Sequence, residues 1–183
     1  MLDFLDSFDE KHAITILKKD HDTVKDLFDR FEATKDFQER RSIIAKAIEE
    51  LKIHAEIEEK LFYPAVRPYL EAGIMTEADE EHHVAKLLIA ELEQMKGTEE
   101  HYDAKFIVLS ENIRHHIKEE ESDMLSKAHK LDIDFDALGL QLLARKQELQ
   151  TMGVPVSLEE KLIIQNKGPA DSPAMAAKAK SAA

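Results

Sequence analysis

The sequence predicts an all-α protein: an up-down-up-down four-helix bundle with an extra C-terminal helix and a disordered tail. Three observations carry that expectation. Four long segments repeat apolar residues every three or four positions, the composition is that of helix, and the first half of the pattern recurs in the second. Only 5 of the 183 residues are glycine and 5 are proline, while 34% are charged. Ala, Leu, Ile, Glu and Lys, all good helix formers, dominate. No alternating run bounded by turn residues reads as strand. One domain is expected, with the bundle and fifth helix over 1–152 and a flexible tail over 153–183.

The first segment carries Ile14, Leu17, Val24, Leu27 or Phe28, and Phe31 on one face, with His21 among them. The second runs from about Phe37 to Tyr63 along Ile44, Ala47, Leu51, His54, Glu58 and Leu61. Pro64 and Pro68 are expected to end it, since a ring in place of the N–H breaks a helix interior. The third spans about Thr76 to Lys96 through Ala78, His82, Ala85, Leu88 or Ile89, and Leu92. Thr76 resembles a cap there and Gly97 a stop. The fourth spans about Glu100 to Lys130, with Phe106, Leu109, Ile113, His116, Glu120 and Met124 in line. Such spacing places residues on one helical face, and four such helices on short links form a bundle. A fifth segment, about Phe135 to Leu149, would pack outside through Phe135, Leu138, Leu142 and Leu143. After Met152 the pattern fades.

The net charge of −13 disfavours nucleic acid and anionic membrane surfaces as partners and suits cations. With no cysteine, any metal must be held by nitrogen and oxygen. The start, Met1 to Asp9, is acidic and short of apolar length, and no run approaches a membrane span, so a cytoplasmic location is expected. Protein partners are not specified by any feature.

Six polar residues sit on stripes that otherwise point to the core. His21 to His54 spans 33 positions and His82 to His116 spans 34, and each second histidine is followed four residues later by a glutamate, Glu58 and Glu120. Residues at i and i+4 are neighbours on a helix surface. A doubled hairpin would therefore set the two triplets facing one another about a pseudo-twofold axis. Burying carboxylates without a partner is costly, so a metal site is the economical reading. His21 and His54 would bind one ion, His82 and His116 the other, and Glu58 and Glu120 would bridge. Imidazole and carboxylate donors with open positions suit iron or manganese better than zinc, which favours closed tetrahedral sites. A lone histidine on an apolar stripe is more often a hydrogen-bonded core residue; the duplication is what argues otherwise. Stripe phase puts His83 and His115 on a flank, and His12, His101 and His129 read as surface residues.

The segments Lys19-Asp20-His21-Asp22, His54-Ala-Glu-Ile-Glu58 through Pro64, Glu80-Glu81-His82-His83 and His115-His116-Ile-Lys-Glu-Glu120 resemble the hemerythrin-like HHE cation-binding family over about residues 10–130. That resemblance implies a pair of non-haem irons, oxo- or hydroxo-bridged, able to meet dioxygen, peroxide or nitric oxide. Family members include oxygen carriers, oxygen or iron sensors, and proteins of oxidative and nitrosative stress responses. Two departures argue against a dedicated carrier. Oxygen-carrying hemerythrins place a further histidine where this chain has Lys86, which here either approaches the metals or reaches solvent. They also close the site with His-x-x-x-x-Asp, whereas this chain has His116-x-x-x-Glu120. The ferritin-like alternative needs two Glu-x-x-His pairs, and only Glu80-x-x-His83 fits.

Three functions follow as expectations: a diiron protein that binds or consumes small oxidants, an iron- or oxygen-responsive sensor, or a plain helical interaction protein. The last leaves Glu58 and Glu120 unexplained. For the first, Phe28, Phe31, Phe62, Leu88, Leu109 and Ile113 are candidate lining residues.

Overall fold

The computed structural model describes residues 10–166, and among them the ordered elements are helices. The acidic start, residues 1–9, and the end, 167–183, lie outside the described residues. Helix α1 is Ala13–Ala33, with Ile14, Leu17, His21, Val24, Phe28 and Phe31 along its buried stripe. Asp36 opens the next helix, accepting the Glu39 N–H at 2.8 Å, which satisfies one of the orphan donors of a first turn. Helix α2, the run 37–66, is α-helical over Phe37–Ile57, widens to a π turn at Glu58–Phe62 and resumes over Tyr63–Val66. Pro64 therefore lies inside the run rather than ending it. The widened turn before it relieves the clash that a proline ring makes in a regular α-helix. A short 3-10 turn at Arg67–Tyr69, containing Pro68, ends it instead.

Helix α3, Ala72–Glu93, starts four residues before Thr76. Thr76 is not a cap: its hydroxyl donates back to the carbonyls of Ala72 and Gly73, both at 3.0 Å, an arrangement open to Ser and Thr inside helices. Helix α4, the run 102–128, repeats the design of α2, with a π turn at Glu120–Met124 between Tyr102–Glu119 and Leu125–Ala128. Helix α5, Phe135–Met152, is capped by Asp134, which accepts the Ala137 N–H at 2.9 Å. It packs on α1 and α2 through Phe135, Leu138 and Leu142, while Leu143 stays exposed.

The stretch after Met152, expected to be flexible, carries another helix. Helix α6, Leu158–Asn166, lies against α3. Its signal is a capping box: Ser157 Oγ accepts the Glu160 N–H at 3.1 Å, and the Glu160 carboxylate accepts the Ser157 N–H at 2.8 Å. Lys52 holds Glu160 at 2.7 Å and His83 holds Glu159 at 2.8 Å. These ties to the bundle replace the apolar stripe that the segment lacks.

Helices α1 with α2 and α3 with α4 form two hairpins, closed through α1–α4 and α2–α3 contacts. The core is divided in two. One cluster, around Leu17, Ile57, Phe62, Met75 and Met124, extends under α5; the other holds Val24, Phe28, Phe31, Ile44, Phe106 and Leu109. His21 falls between Leu17 and Val24 in sequence, and the remaining stripe histidines divide their helices likewise. A polar layer thus separates two apolar ones.

Gly139 marks the closest approach of α5 to the bundle. A Cβ there would meet the Lys11 carbonyl oxygen at 1.7 Å and the Ala13 nitrogen at 2.9 Å. Helix propensity alone favours Gly139→Ala by about 1 kcal/mol, whereas backbone overpacking costs roughly 1–3 kcal/mol. The clash should win. We expect a lower urea midpoint for Gly139→Ala, and a raised midpoint would contradict this packing.

Candidate metal centre

All six side chains singled out by the sequence converge in the polar layer. His21, His54, His82 and His116 are buried, as are Glu58 and Glu120. Their Nε2 atoms face inward in two pairs: His21 with His54 and His82 with His116, each 3.1 Å apart. Glu58 Oε1 stands 3.1 Å from His54 and its Oε2 stands 3.4 Å from His82. Glu120 Oε2 stands 3.1 Å from His21 and 4.0 Å from His116. Donor atoms of His21, His54, Glu58 and Glu120 lie within 4.8 Å of one another, and so do those of Glu58, His82 and His116.

What turns the imidazoles inward is a set of outer carboxylates that the sequence reading missed. His21 Nδ1 faces Glu121 at 2.9 Å, His54 faces Asp20 at 3.5 Å, His82 faces Glu59 at 3.0 Å and His116 faces Glu81 at 2.6 Å. An ionised carboxylate only accepts, so Nδ1 carries the proton and Nε2 keeps its lone pair for the centre. In each case the acid comes from the preceding helix, with α4 serving α1. The signal was present in the sequence: an acid precedes His21 and His82, and another follows Glu58 and Glu120. Glu59 and Glu121 sit in the π turns, whose i→i−5 bonds run from Tyr63 N–H to Glu58 O and from Leu125 N–H to Glu120 O. Such bulges recur at functional sites.

Lys86 meets neither expectation. It ion-pairs with Glu59 and so supports the carboxylate that orients His82. Lys25 sits 3.7 Å from Glu121 in the matching place, and Lys146 of α5 pairs with Asp20. Tyr63 is a further residue missed from the sequence. Its hydroxyl lies 3.2 Å from His82 Nε2 and 3.5 Å from Glu58 Oε2. Five positions after Glu58, it returns to the same face only because the turn between them is π. Burial first, then the nearby carboxylates, hold its phenol well above its ordinary pKa, so it stays protonated. Among the other histidines, His83 and His115 do lie on the flank, but His12 is half-buried and stacks on Phe135.

The donor set fits a cation. Glu58 Oε1 and both Glu120 oxygens are buried and have no hydrogen-bond partner among the described residues, and leaving such charge uncompensated costs several kcal/mol. Two lone-pair nitrogens 3.1 Å apart repel unless a proton or a cation lies between them. Nitrogens each about 2.1 Å from one ion, at roughly a right angle, would stand about 3 Å apart. Through protons alone the layer is strained differently. Burial opposes charge on His54, yet Glu58 and Asp20 outweigh it and raise the imidazole to about 10. His82 rises to about 9 against the same opposition, through Glu58 and Glu59. Glu58 is held well below its usual range by His54 and His82 despite its burial.

A cavity of about 450 Å³ adjoins the centre, lined by all four histidines and by Val24, Leu51, Ala85, Ile89, Ile113 and Ile117, with residues 154–161 along one side. Of the expected lining residues only Ile113 is there; Phe28, Phe31, Phe62 and Leu109 are packed into the two cores, and Leu88 is half-buried against one of them.

The family model of the hemerythrin HHE cation binding domain matches residues 12–128. The chain belongs to the hemerythrin HHE cation-binding domain family. A DNA nickase from a Nostoc species is 24% identical over 111 residues, 61% of this chain but 32% of the nickase, so this HHE protein spans about a third of that relative. An uncharacterised Mycobacterium tuberculosis protein is 29% identical over 166 residues, 87% of this chain and 96% of its own. The crystal structure of an HHE cation-binding domain-containing protein from Mycobacterium kansasii, a homologue of the tuberculosis protein, matches with a TM-score of 0.64 at 26% identity. That match covers 78% of this chain and 94% of the other.

The raised histidines and the depressed glutamate give the metal-free HHE domain a defined pH response. Stability from His54 and His82 is complete below their ordinary value of 6.5 and is lost as pH rises through about 9 and 10. Stability from Glu58 is present above its ordinary 4.5 and lost as pH falls through its lower folded value. A bound cation competes with the imidazole protons, so its affinity rises over the interval in which they leave. The Tm in chelator should therefore fall between pH 7 and 10, while the gain on adding Mn²⁺ grows. A Tm gain that shrinks with pH would contradict the assignment of Nε2 as the donor.

Proposed function

We propose that this HHE domain holds a pair of non-haem iron ions and presents them to dioxygen, peroxide or nitric oxide. In this reading His21 and His54 hold one ion, His82 and His116 hold the other, and Glu58 and Glu120 lie between them. The observation that carries it is the division of one carboxylate: Glu58 turns Oε1 to one histidine pair and Oε2 to the other. A single ion beside His82 and His116 would leave Glu58 Oε1 without a hydrogen-bond partner among the described residues, and one beside His21 and His54 would leave Oε2 only the long contact with Tyr63. Two imidazoles and shared carboxylates per ion leave coordination positions open, which suits iron or manganese better than zinc, and iron is the metal that the family resemblance implies.

Bound as a pair, two irons would supply two electrons to one oxidant, or polarise it as Lewis acids. The chain supplies the rest. Outer carboxylates fix the imidazoles, the aliphatic walls of the cavity limit water, and the protonated Tyr63 hydroxyl can donate to an oxygen-bearing ligand beside His82. A sensor reading draws on a different feature. Residues 154–161 wall the same cavity, and His83, the neighbour of His82, ties down α6 through Glu159. Occupancy of the cavity would then bear on how α6 is seated.

Protein purified from iron-replete cells should contain about two irons per chain and show ligand-to-iron charge-transfer bands, and His54→Ala/Glu58→Ala should lose both. Folded wild-type protein without metal would rule the proposal out. Tyr63→Phe should keep the iron but weaken capture of peroxide or nitric oxide about tenfold, the worth of one hydrogen bond to a charged or polarised partner. Capture at the wild-type level would remove Tyr63 from the ligand site. Slow peroxide consumption with a large iron-dependent change in proteolysis of α6 would favour the sensor.

A further inference from the structure

We infer that the divalent cation reaches the centre by its own acidic opening, with Glu81, His115 and Glu119 as the outer station on that route. The inference rests on the two-ion reading above and concerns how the ions arrive.

A recess of about 250 Å³ opens beside α3 and α4, its walls carrying Glu77, Glu81, Glu119 and Asp123, and it meets His116 and Glu120 of the centre. It shares only His116 with the lining of the apolar cavity. Lys127 offsets Asp123 at 2.9 Å, so the negative character of the recess rests on the three glutamates. Ligand atoms of Glu81, His115 and Glu119 lie within 4.8 Å of one another, a nitrogen and two carboxylates at the solvent boundary. Behind them stands Glu120, 3% exposed, with both oxygens lacking a hydrogen-bond partner among the described residues. The recess therefore ends on a buried carboxylate with no hydrogen-bond partner among the described residues.

The partners of the outer carboxylates point to the same place. Three of the four outer carboxylates are closed by lysine: Asp20 by Lys146, Glu59 by Lys86 and Glu121 by Lys25. The fourth, Glu81, has His115 there instead, with Nε2 at 3.9 Å from Oε1, while Oε2 accepts from His116 Nδ1 at 2.6 Å. Glu81 thus touches an inner ligand with one oxygen and offers the other to the outside. A lysine at this position would repel an incoming cation, whereas an imidazole has a nitrogen that can hold it. The remaining hydration shell can then be exchanged stepwise, first for Glu119 and Glu81, next for Glu120, and finally for the histidine pair. An acidic funnel in a chain of net charge −13 also concentrates cations before contact.

The test is loading kinetics of the metal-free full chain with Co²⁺ under anaerobic conditions, following the cobalt d–d absorption by stopped flow. Glu77→Gln/Glu119→Gln removes two of the three glutamate charges of the recess without touching the six central ligands. Glu100→Gln/Glu111→Gln removes the same charge from exposed positions elsewhere on the chain. We expect the first variant to load about tenfold more slowly, within the range that focused charge contributes to on-rates, and to reach the wild-type final absorbance. The control should load at close to the wild-type rate. Equal rates for the recess variant and the wild type would overturn the route while leaving the centre intact, as would equal slowing in the control. A wild-type chain that takes up no Co²⁺ would sink the two-ion reading itself, and the route with it.

Discussion

The constraint on which this structure depends is the orientation of four buried imidazoles by four carboxylates from neighbouring helices. Each contact joins consecutive helices of the bundle, so the set closes into a ring: Asp20 of α1 to His54 of α2, Glu59 of α2 to His82 of α3, Glu81 of α3 to His116 of α4, and Glu121 of α4 back to His21. Aliphatic packing on either side of this layer tolerates small shifts of one helix along another. A ring of directional contacts does not, because sliding any helix breaks two of them. The polar layer thus fixes a register that the apolar layers would leave loose. The same contacts also decide which nitrogen of each imidazole faces inward, so packing and chemistry are set by one interaction.

That ring also explains why the helices are not regular where regularity would be simplest. After Glu58 and again after Glu120 the chain makes a π turn. A glutamate and its successor must serve different partners: Glu58 turns to the centre while Glu59 reaches across to the adjoining hairpin. Breaks in the symmetry are equally instructive. Tyr63 has Leu125 as its counterpart in the second half, so a hydroxyl approaches the centre from one side only. The two histidine pairs, alike in their donors, therefore differ in their surroundings.

The fold and the centre were legible in the sequence to unequal depth. Amphipathic period located α1 to α5 because burial of one stripe is what makes each helix stable. The duplicated histidines and glutamates stood out because they interrupt that stripe. Pro64 misled, since a local rule about proline assumes α geometry and the chain is π just before it. Thr76 misled because its hydroxyl bonds backward within the helix. Helix α6 left only the Ser157–Glu160 box as a signal, being held by ion pairs to Lys52 and His83 rather than by an apolar face. Asp20, Glu59, Glu81 and Glu121 were hidden among 38 acidic residues. Their role depends on which helix neighbours which, and a one-dimensional pattern carries that only through the repeat.

A centre of this kind poses a conflict that the bundle resolves by geometry. Aliphatic walls suit a small apolar guest and hold water back, but they make a charged ion shed its hydration with nothing in return. Carboxylate walls ease the ion's passage yet bring water to the metal and offer nothing to an apolar guest. One opening cannot favour both. Here the cavity beside all four histidines is walled by valine, leucine and isoleucine, and its Glu56, Glu59 and Glu160 are tied to Arg145, Lys86 and Lys52, while Glu77, Glu81 and Glu119 line a separate recess that shares only His116 with it. Because a four-helix layer presents its central side chains to more than one interhelical gap, a single ring of ligands can face two solvents of opposite character. That follows from placing the polar layer in the middle of the bundle rather than at its end.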